Sequence, residues 1–350
     1  MPATLPRPPH RPSLHLRQPG RRLTLAGLAA TALGTLPLAL VTLALTPSPA
    51  LAWPDKPIEW VVPYPAGGGS DVVARTLAEP MGKALGQTLV VNNKPGAATN
   101  IGADYVAHGK ADGHLMLTAD TATLAANPWL YGKLGYDAAK DFAPVGLMAR
   151  FPMLLVVNAG LPVKNLAEFK AWAARQSGGA NYATPGAGSP HHLATELFRS
   201  KTGLSLVHVP YRGAAPAVQH VIGGQVPFMF ADTATAYPHL LSGKLRAIGV
   251  ASPKRVKGFD DVPTFAEQGL GGFEAYAWQG LVVPAATPPE RIATLNKALV
   301  AALNTTAVKA RFQTLGLEAI PGTPQEMARY AAQEREKWGP VIRAANIRLD

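Results

Sequence analysis

The residues best placed to do chemistry sit in two short glycine-rich segments. The first is Pro63-Tyr64-Pro65-Ala66-Gly67-Gly68-Gly69-Ser70-Asp71; the second is Thr184-Pro185-Gly186-Ala187-Gly188-Ser189-Pro190-His191-His192. Each follows a strand-like run and ends in a serine placed to cap the next helix. Ser189 followed by Pro190 is a strong helix start. Glycines let backbone N–H groups come close to a ligand, and a helix N-terminus carries unpaired N–H groups and partial positive charge. Such a site suits an anion, a carboxylate or a phosphate. A third segment, Tyr211-Arg212-Gly213-Ala214-Ala215-Pro216, also opens a helix.

Sharper motifs are absent. A dinucleotide fingerprint would need glycine at Val72 or His191, and no phosphate-binding G-x-x-x-x-G-K-[ST] occurs. No serine lies in G-x-S-x-G, and no H-E-x-x-H exists. His191 and His192 are adjacent, so on a helix they diverge by about 100° and share a metal poorly. His192 is read as orienting the loop, touching the ligand or simply packing. Asp71, one turn into its helix, is read as a brace for the N-terminus rather than a base. No catalytic residue, metal site or cofactor is expected.

The elements that must position these loops alternate between strand and helix, the pattern of an α/β fold with a largely parallel sheet. Strands are expected at 58–62, 89–91, 115–117, 153–157, 181–184, 206–209, 226–230 and 246–251. Helices are expected from Ser70 with apolar Val73, Leu77, Met81 and Leu85, and over 166–175, 193–201, 289–303 and 324–345. In open α/β sheets ligands bind at the carboxyl ends of strands, where these loops lie.

Charge and composition narrow the function. The chain has 350 residues, 33 Lys+Arg against 22 Asp+Glu, a formal charge of +11 and no cysteine, which removes thiolate chemistry and Cys-ligated metals. Five arginines and no acid fall in residues 1–52; without them 28 basic residues face 22 acidic ones. The remaining bases are scattered and not interleaved with aromatics, which argues against nucleic acid. The N-terminus reads as a secretory signal: basic residues, an uncharged run from Leu23, then Ala50-Leu51-Ala52 before Trp53. Cleavage is expected near Ala52/Trp53, leaving a soluble, monomeric mature chain outside the inner membrane.

The first segment, with Ala74-Arg75, resembles the opening motif of the tripartite tricarboxylate transporter substrate-binding proteins, the Bug receptors. Further similar stretches follow in order: Asn93-Lys94-Pro95-Gly96-Ala97, Ala126-Asn127-Pro128-Trp129, Gly186-Ala187-Gly188-Ser189, Val209-Pro210-Tyr211-Arg212-Gly213, Gly223-Gly224-Gln225-Val226 and Asp261-Val262-Pro263-Thr264. The resemblance implies a type II-like two-lobe periplasmic binding protein with a hinge, each lobe a mostly parallel sheet flanked by helices. It implies one lobe from 53–154 plus 278–350, a second from 155–277, and a signal peptide over 1–52. It also implies a carboxylate gripped by main-chain amides and small hydroxyls, with no Arg clamp required. Carried onto this chain, the first lobe offers Tyr64, Ala66, Gly67, Gly68, Ser70 and Asp71. The second offers Thr184, Gly188, Ser189 and His192, with Tyr211, Gly213 and Asp232 lining the cleft.

The implied role is a non-enzymatic receptor that hands a small organic acid to the membrane permease subunits of such a transporter. Two rival readings are a periplasmic sensor for a membrane signalling partner and a secreted α/β hydrolase using Ser189 and His192. A bulky residue at Gly68 or Gly188 is expected to abolish binding without unfolding the protein.

Overall fold

The computed structural model describes residues 53–349. The expected signal peptide and its cleavage site lie outside the described residues. Chain order runs β1 (Ile58–Val62), α1 (Gly69–Leu85), β2 (Leu89–Asn93), α2 (Asn100–Ala107) and β3 (Leu115–Asp120). A π turn, Thr121–Ala126, leads into α3 (Asn127–Leu130) and β4 (Phe142–Asn158). Then come α4 (Leu166–Ala174), β5 (Ala180–Thr184), α5 (Pro190–Thr202), β6 (Leu206–Pro210) and α6 (Ala214–Ile222). β7 (Phe228–Asp232), α7 (Thr233–Leu241) and β8 (Leu245–Val250) precede an irregular stretch. β9 (Tyr276–Pro284), α8 (Pro289–Leu303), α9 (Thr306–Thr314), β10 (Glu318–Ala319) and α10 (Pro324–Ala344) complete the chain.

The strands lie in the order β2-β1-β3-β9-β4-β7-β5-β6, with β8 and β10 also paired to β4. Each end is a parallel trio, β2-β1-β3 and β6-β5-β7, joined by the antiparallel β9 and β4. Strand β4 changes partners midway. It pairs with β9 as far as Pro152, and with β7 and β8 from Met153 onward.

Helices cover both faces of the trios, so successive side chains of one strand enter different cores. In β1, Ile58, Trp60 and Val62 join a cluster with Leu77 of α1 and Leu299 of α8, while Val61 packs with Val106 and Met327. In β7, Phe228 and Phe230 pack with Phe169 and Phe198, while Met229 and Ala231 face Val218 and Val221. A smaller cluster ties α5 to the opposite trio's helices: Leu193 meets Leu130, Trp338 and Ile342.

The expected strand at 153–157 is the second half of β4, and β9 was not anticipated. Pro144, Gly146 and Pro152 look like strand breakers in sequence. Here the register shifts between Pro144 and Gly146 and again between Leu147 and Ala149. These bulges accommodate Pro144 and Gly146, while Pro152 falls where β4 exchanges β9 for β7.

Candidate functional site

Three helix N-termini converge on one cavity. Its wall includes Tyr64 to Ala66 and Gly68 to Ser70 at the start of α1, Ser189 to His191 at the start of α5, and Gly213 to Ala215 at the start of α6, with Asp120 and Asp232 at the carboxyl ends of β3 and β7. The cavity has a volume of about 90 Å³ and adjoins a wider outer pocket of about 630 Å³.

The first loop is folded by Asp71. Its buried carboxylate accepts from Gly67 N at 2.9 Å, from Asn93 Nδ2 at 3.0 Å and from Arg75 Nε at 2.9 Å. Burial alone would raise its pKa, but the bonds from Arg75, Gly67 and Asn93 bring it below the usual value. The N-cap of α1 is Gly68, with no side-chain cap. Ser70 is therefore inside the first turn and does not cap the helix as the sequence suggested; its Oγ accepts from Gln279 Nε2 at 2.5 Å. The first N–H groups of α1 are left for a ligand. The same holds for α6, where Gly213 is the N-cap and again no side chain caps the helix.

The second loop is braced differently. Ser189 caps α5, its Oγ accepting from His192 N at 3.3 Å. The His192 ring turns back to accept from Gly188 N at 3.0 Å and stacks on His208 with centroids 3.9 Å apart. Thr184 Oγ1 bonds His208 Nε2 at 2.6 Å. Pro185 O accepts from Gly213 N at 2.9 Å, which docks the third loop onto the second.

Two carboxylates stand across this wall. Asp232 caps α7 through Thr235 N and faces His191 Nε2 at 3.1 Å. Burial pushes its pKa up, but the His191 bond and charge and the Thr235 bonds bring it below the ordinary value. Asp120 accepts from Tyr64 Oη at 2.5 Å and from Thr123 N at 2.9 Å, and full burial holds its carboxyl above the ordinary range. Gly69 matters for its missing side chain. A Cβ there would lie 3.1 Å from Asp232 Oδ1 and 3.2 Å from Phe151 Cε1, so glycine lets the two loops meet.

Of the residues singled out from sequence, Tyr64, Ala66, Gly68, Ser70, Ser189, Gly213 and Asp232 share the cavity wall. Tyr211 lines the outer pocket, its Oη bonded to His220 Nδ1 at 3.0 Å. Gly67, Asp71, Thr184, Gly188 and His192 are not in the cavity wall; Gly67 N and Gly188 N donate to Asp71 and to the His192 ring, and Thr184 Oγ1 bonds His208. The wall also contains Asp120, Phe151, His191, Arg212, Trp278 and Gln279, which sequence reasoning did not select. Asp120 ends β3 and could have been found by the rule that ligands bind at the carboxyl ends of strands, whereas Asp232 is named from the family resemblance. Arg212, an exposed residue, also lines the wall. The hydrolase arrangement is not formed, because Ser189 Oγ meets the backbone of His192 and not its ring.

The brace gives a first prediction. Asp71→Ala should cost about 1–3 kcal/mol of stability by removing the acceptor of Gly67 N, Asn93 Nδ2 and Arg75 Nε, and should weaken ligand binding from a position that lines no part of the cavity. Denaturant unfolding and a ligand titration would measure both; unchanged affinity would mean the loop keeps its shape without Asp71.

Residues 73–347 match the family model described as the tripartite tricarboxylate transporter family receptor. The chain belongs to this family. A solved Rhodopseudomonas palustris protein with adipate is 34% identical at a TM-score of 0.82, covering 85% of this chain and 99% of that one. The periplasmic binding protein BugD is 33% identical at 0.80, covering 85% and 99%. MatC from Rhodopseudomonas palustris, with bound malate, is 34% identical at 0.78, covering 83% and 100%. The Bug-type receptors are periplasmic solute-binding proteins of two-lobe α/β fold and not enzymes. Among the described residues no helix is long and apolar enough to cross a membrane.

Proposed function

We propose that this protein captures a small organic acid in the cleft between its lobes and delivers it to the membrane subunits of a tripartite tricarboxylate-type transporter. The observation that carries this reading is the meeting of α1 and α6, each with glycine as N-cap and no side-chain cap, at one cavity. A carboxylate there would receive the N–H bonds that these helices lack, and the helix dipoles favour its charge. Arg212 in the same wall adds attraction without enclosing the site. The adipate and malate held by the two R. palustris relatives are acids of this kind.

The lobes are drawn at 53–154 with 278–350, and at 155–277. The partner exchange of β4 after Pro152 and the start of β9 at Tyr276 support those borders. Two adjacent strands crossing between lobes would act as a hinge, so closure would bury the ligand. Export of the mature chain from Trp53 and passage of the ligand to a permease belong to the same reading.

A melting-temperature screen against mono-, di- and tricarboxylic acids tests it. A ligand at 100 times its Kd stabilises the folded state by about 2.7 kcal/mol, and the shift grows with the logarithm of concentration. If no carboxylate in such a panel raises the melting temperature, the reading fails.

A further inference from the structure

Two polar atoms of residues in the cavity wall have no hydrogen-bond partner. They are Gln279 Oε1 and His191 Nδ1, on side chains of residues that are 4% and 8% exposed. The other ends of both side chains are committed. Gln279 Nε2 donates to Ser70 Oγ at 2.5 Å, and His191 Nε2 faces Asp232 Oδ2 at 3.1 Å. An unsatisfied buried polar group destabilises a fold, and in a binding site the ligand is the natural partner.

The chemistry of Gln279 Oε1 is one-sided. It is a carbonyl oxygen with no proton, so it can be satisfied only by a donor. A carboxylate, which only accepts, cannot satisfy it. With Nε2 bonded to Ser70, the amide leaves its oxygen unpaired, and Ser70 belongs to the first turn of α1, where a carboxylate would sit. Asp120 and Asp232 add further acceptors to this wall. His191 Nδ1 becomes another when the proton of the ring is on Nε2, directed at Asp232. The wall therefore combines helix N-termini that take an anion with acceptors that take a proton-bearing group.

We propose that the ligand carries a hydroxyl or ammonium donor beside its carboxylate, and that Gln279 selects for it. This rests on the reading of the cleft as an organic-acid site. A matching donor relieves the unpaired oxygen, whereas an acid lacking one leaves it buried and unsatisfied. The discrimination expected from one such group is about tenfold or more in Kd.

Calorimetric titration of protein expressed from the full chain would use matched acids: malate, aspartate and succinate; citrate and tricarballylate; lactate and propionate. In the set that binds most tightly, the hydroxyl- or ammonium-bearing acid should bind at least about tenfold tighter than its plain counterpart. Gln279→Leu should reduce that ratio to within about twofold. Gln279→Glu, which keeps acceptor oxygens and adds charge, should retain the preference and favour aspartate over malate; it also serves if the leucine variant does not fold. Equal affinity for plain and donor-bearing acids, or a preference that survives Gln279→Leu, overturns the role of Gln279 and leaves the carboxylate site standing. Failure of every acid to bind overturns the carboxylate reading, and this proposal with it.

Discussion

Gly68→Leu is expected to weaken organic-acid binding by about 100-fold or more, equivalent to about 2.7 kcal/mol, without lowering the melting temperature. Gly68 lines the cavity and has φ −81° and ψ 170°, an extended conformation open to any residue. An added Cβ meets nothing closer than Pro65 O at 3.7 Å, so the backbone tolerates the change and the new side chain takes ligand space. Replacing glycine where φ is ordinary also restricts the unfolded chain, which stabilises by about 0.4–1 kcal/mol. Gly188, which the sequence suggested as an equivalent test, is a different case. Its φ is +74° and an added Cβ would sit 2.3 Å from Leu130 Cδ1, so a side chain there would strain the loop and displace the cluster behind it. Loss of binding at Gly188 would report distortion; at Gly68 it would report occupancy. Titration beside a thermal melt separates them, and Gly68→Leu with wild-type affinity would place the ligand elsewhere.

How much was legible in the sequence follows from how local each signal is. Strands such as β1 and β7 are buried on both faces and read as continuous apolar runs, and the glycine loops mark the strand-to-helix turns where helices begin. Strand β4 was only half visible, because its bulges follow from pairing with β9, more than a hundred residues away. The choice between His191 and His192 depended on helix phase. Neighbours on α5 point about 100° apart, and docking of the helix turned His191 toward Asp232 and His192 toward Gly188 and His208. Spacing along the chain carries no information about that docking. Gln279 had no local signal at all, since its bond to Ser70 spans 209 positions. Asp71 reads as a brace from its place one turn into the helix, and its bonds to Gly67 N and Arg75 are of that kind. The family resemblance puts Asp71 and Thr184 at the ligand, and a small polar residue in a glycine loop looks the same in sequence whether it holds a ligand or the loop.

The histidines behind the second loop should make the protein acid-labile well above the carboxylate range. Burial, then the neighbouring charges of His208 and Arg199, lower the His192 pKa to about 3; burial lowers His208 to about 4 against the opposing charge of Glu196. In the unfolded chain both should titrate near 6.5. The unfolded state therefore binds more protons than the folded one below that value, so stability rises with pH in this window. The contribution is whole above about pH 7 and falls as pH drops from about 6.5 toward 4, at about 1.4 kcal/mol per pH unit for each histidine. Protonation of His192 in the folded state would remove the lone pair that accepts Gly188 N, but only near pH 3, so ligand affinity of the folded protein should hold across the window in which stability falls. Asp71 and Asp232 act lower on the scale: their pKa values are depressed, so their stabilisation is lost only below the ordinary aspartate value near 3.8. Urea unfolding at pH 7.5, 6.0 and 5.0 should show the fall, and His208→Gln should roughly halve its slope by removing one of two titrating rings. A wild-type stability that stays flat between pH 6.5 and 4.5 would mean that the stacked pair accepts a proton in the folded state as readily as in the unfolded chain.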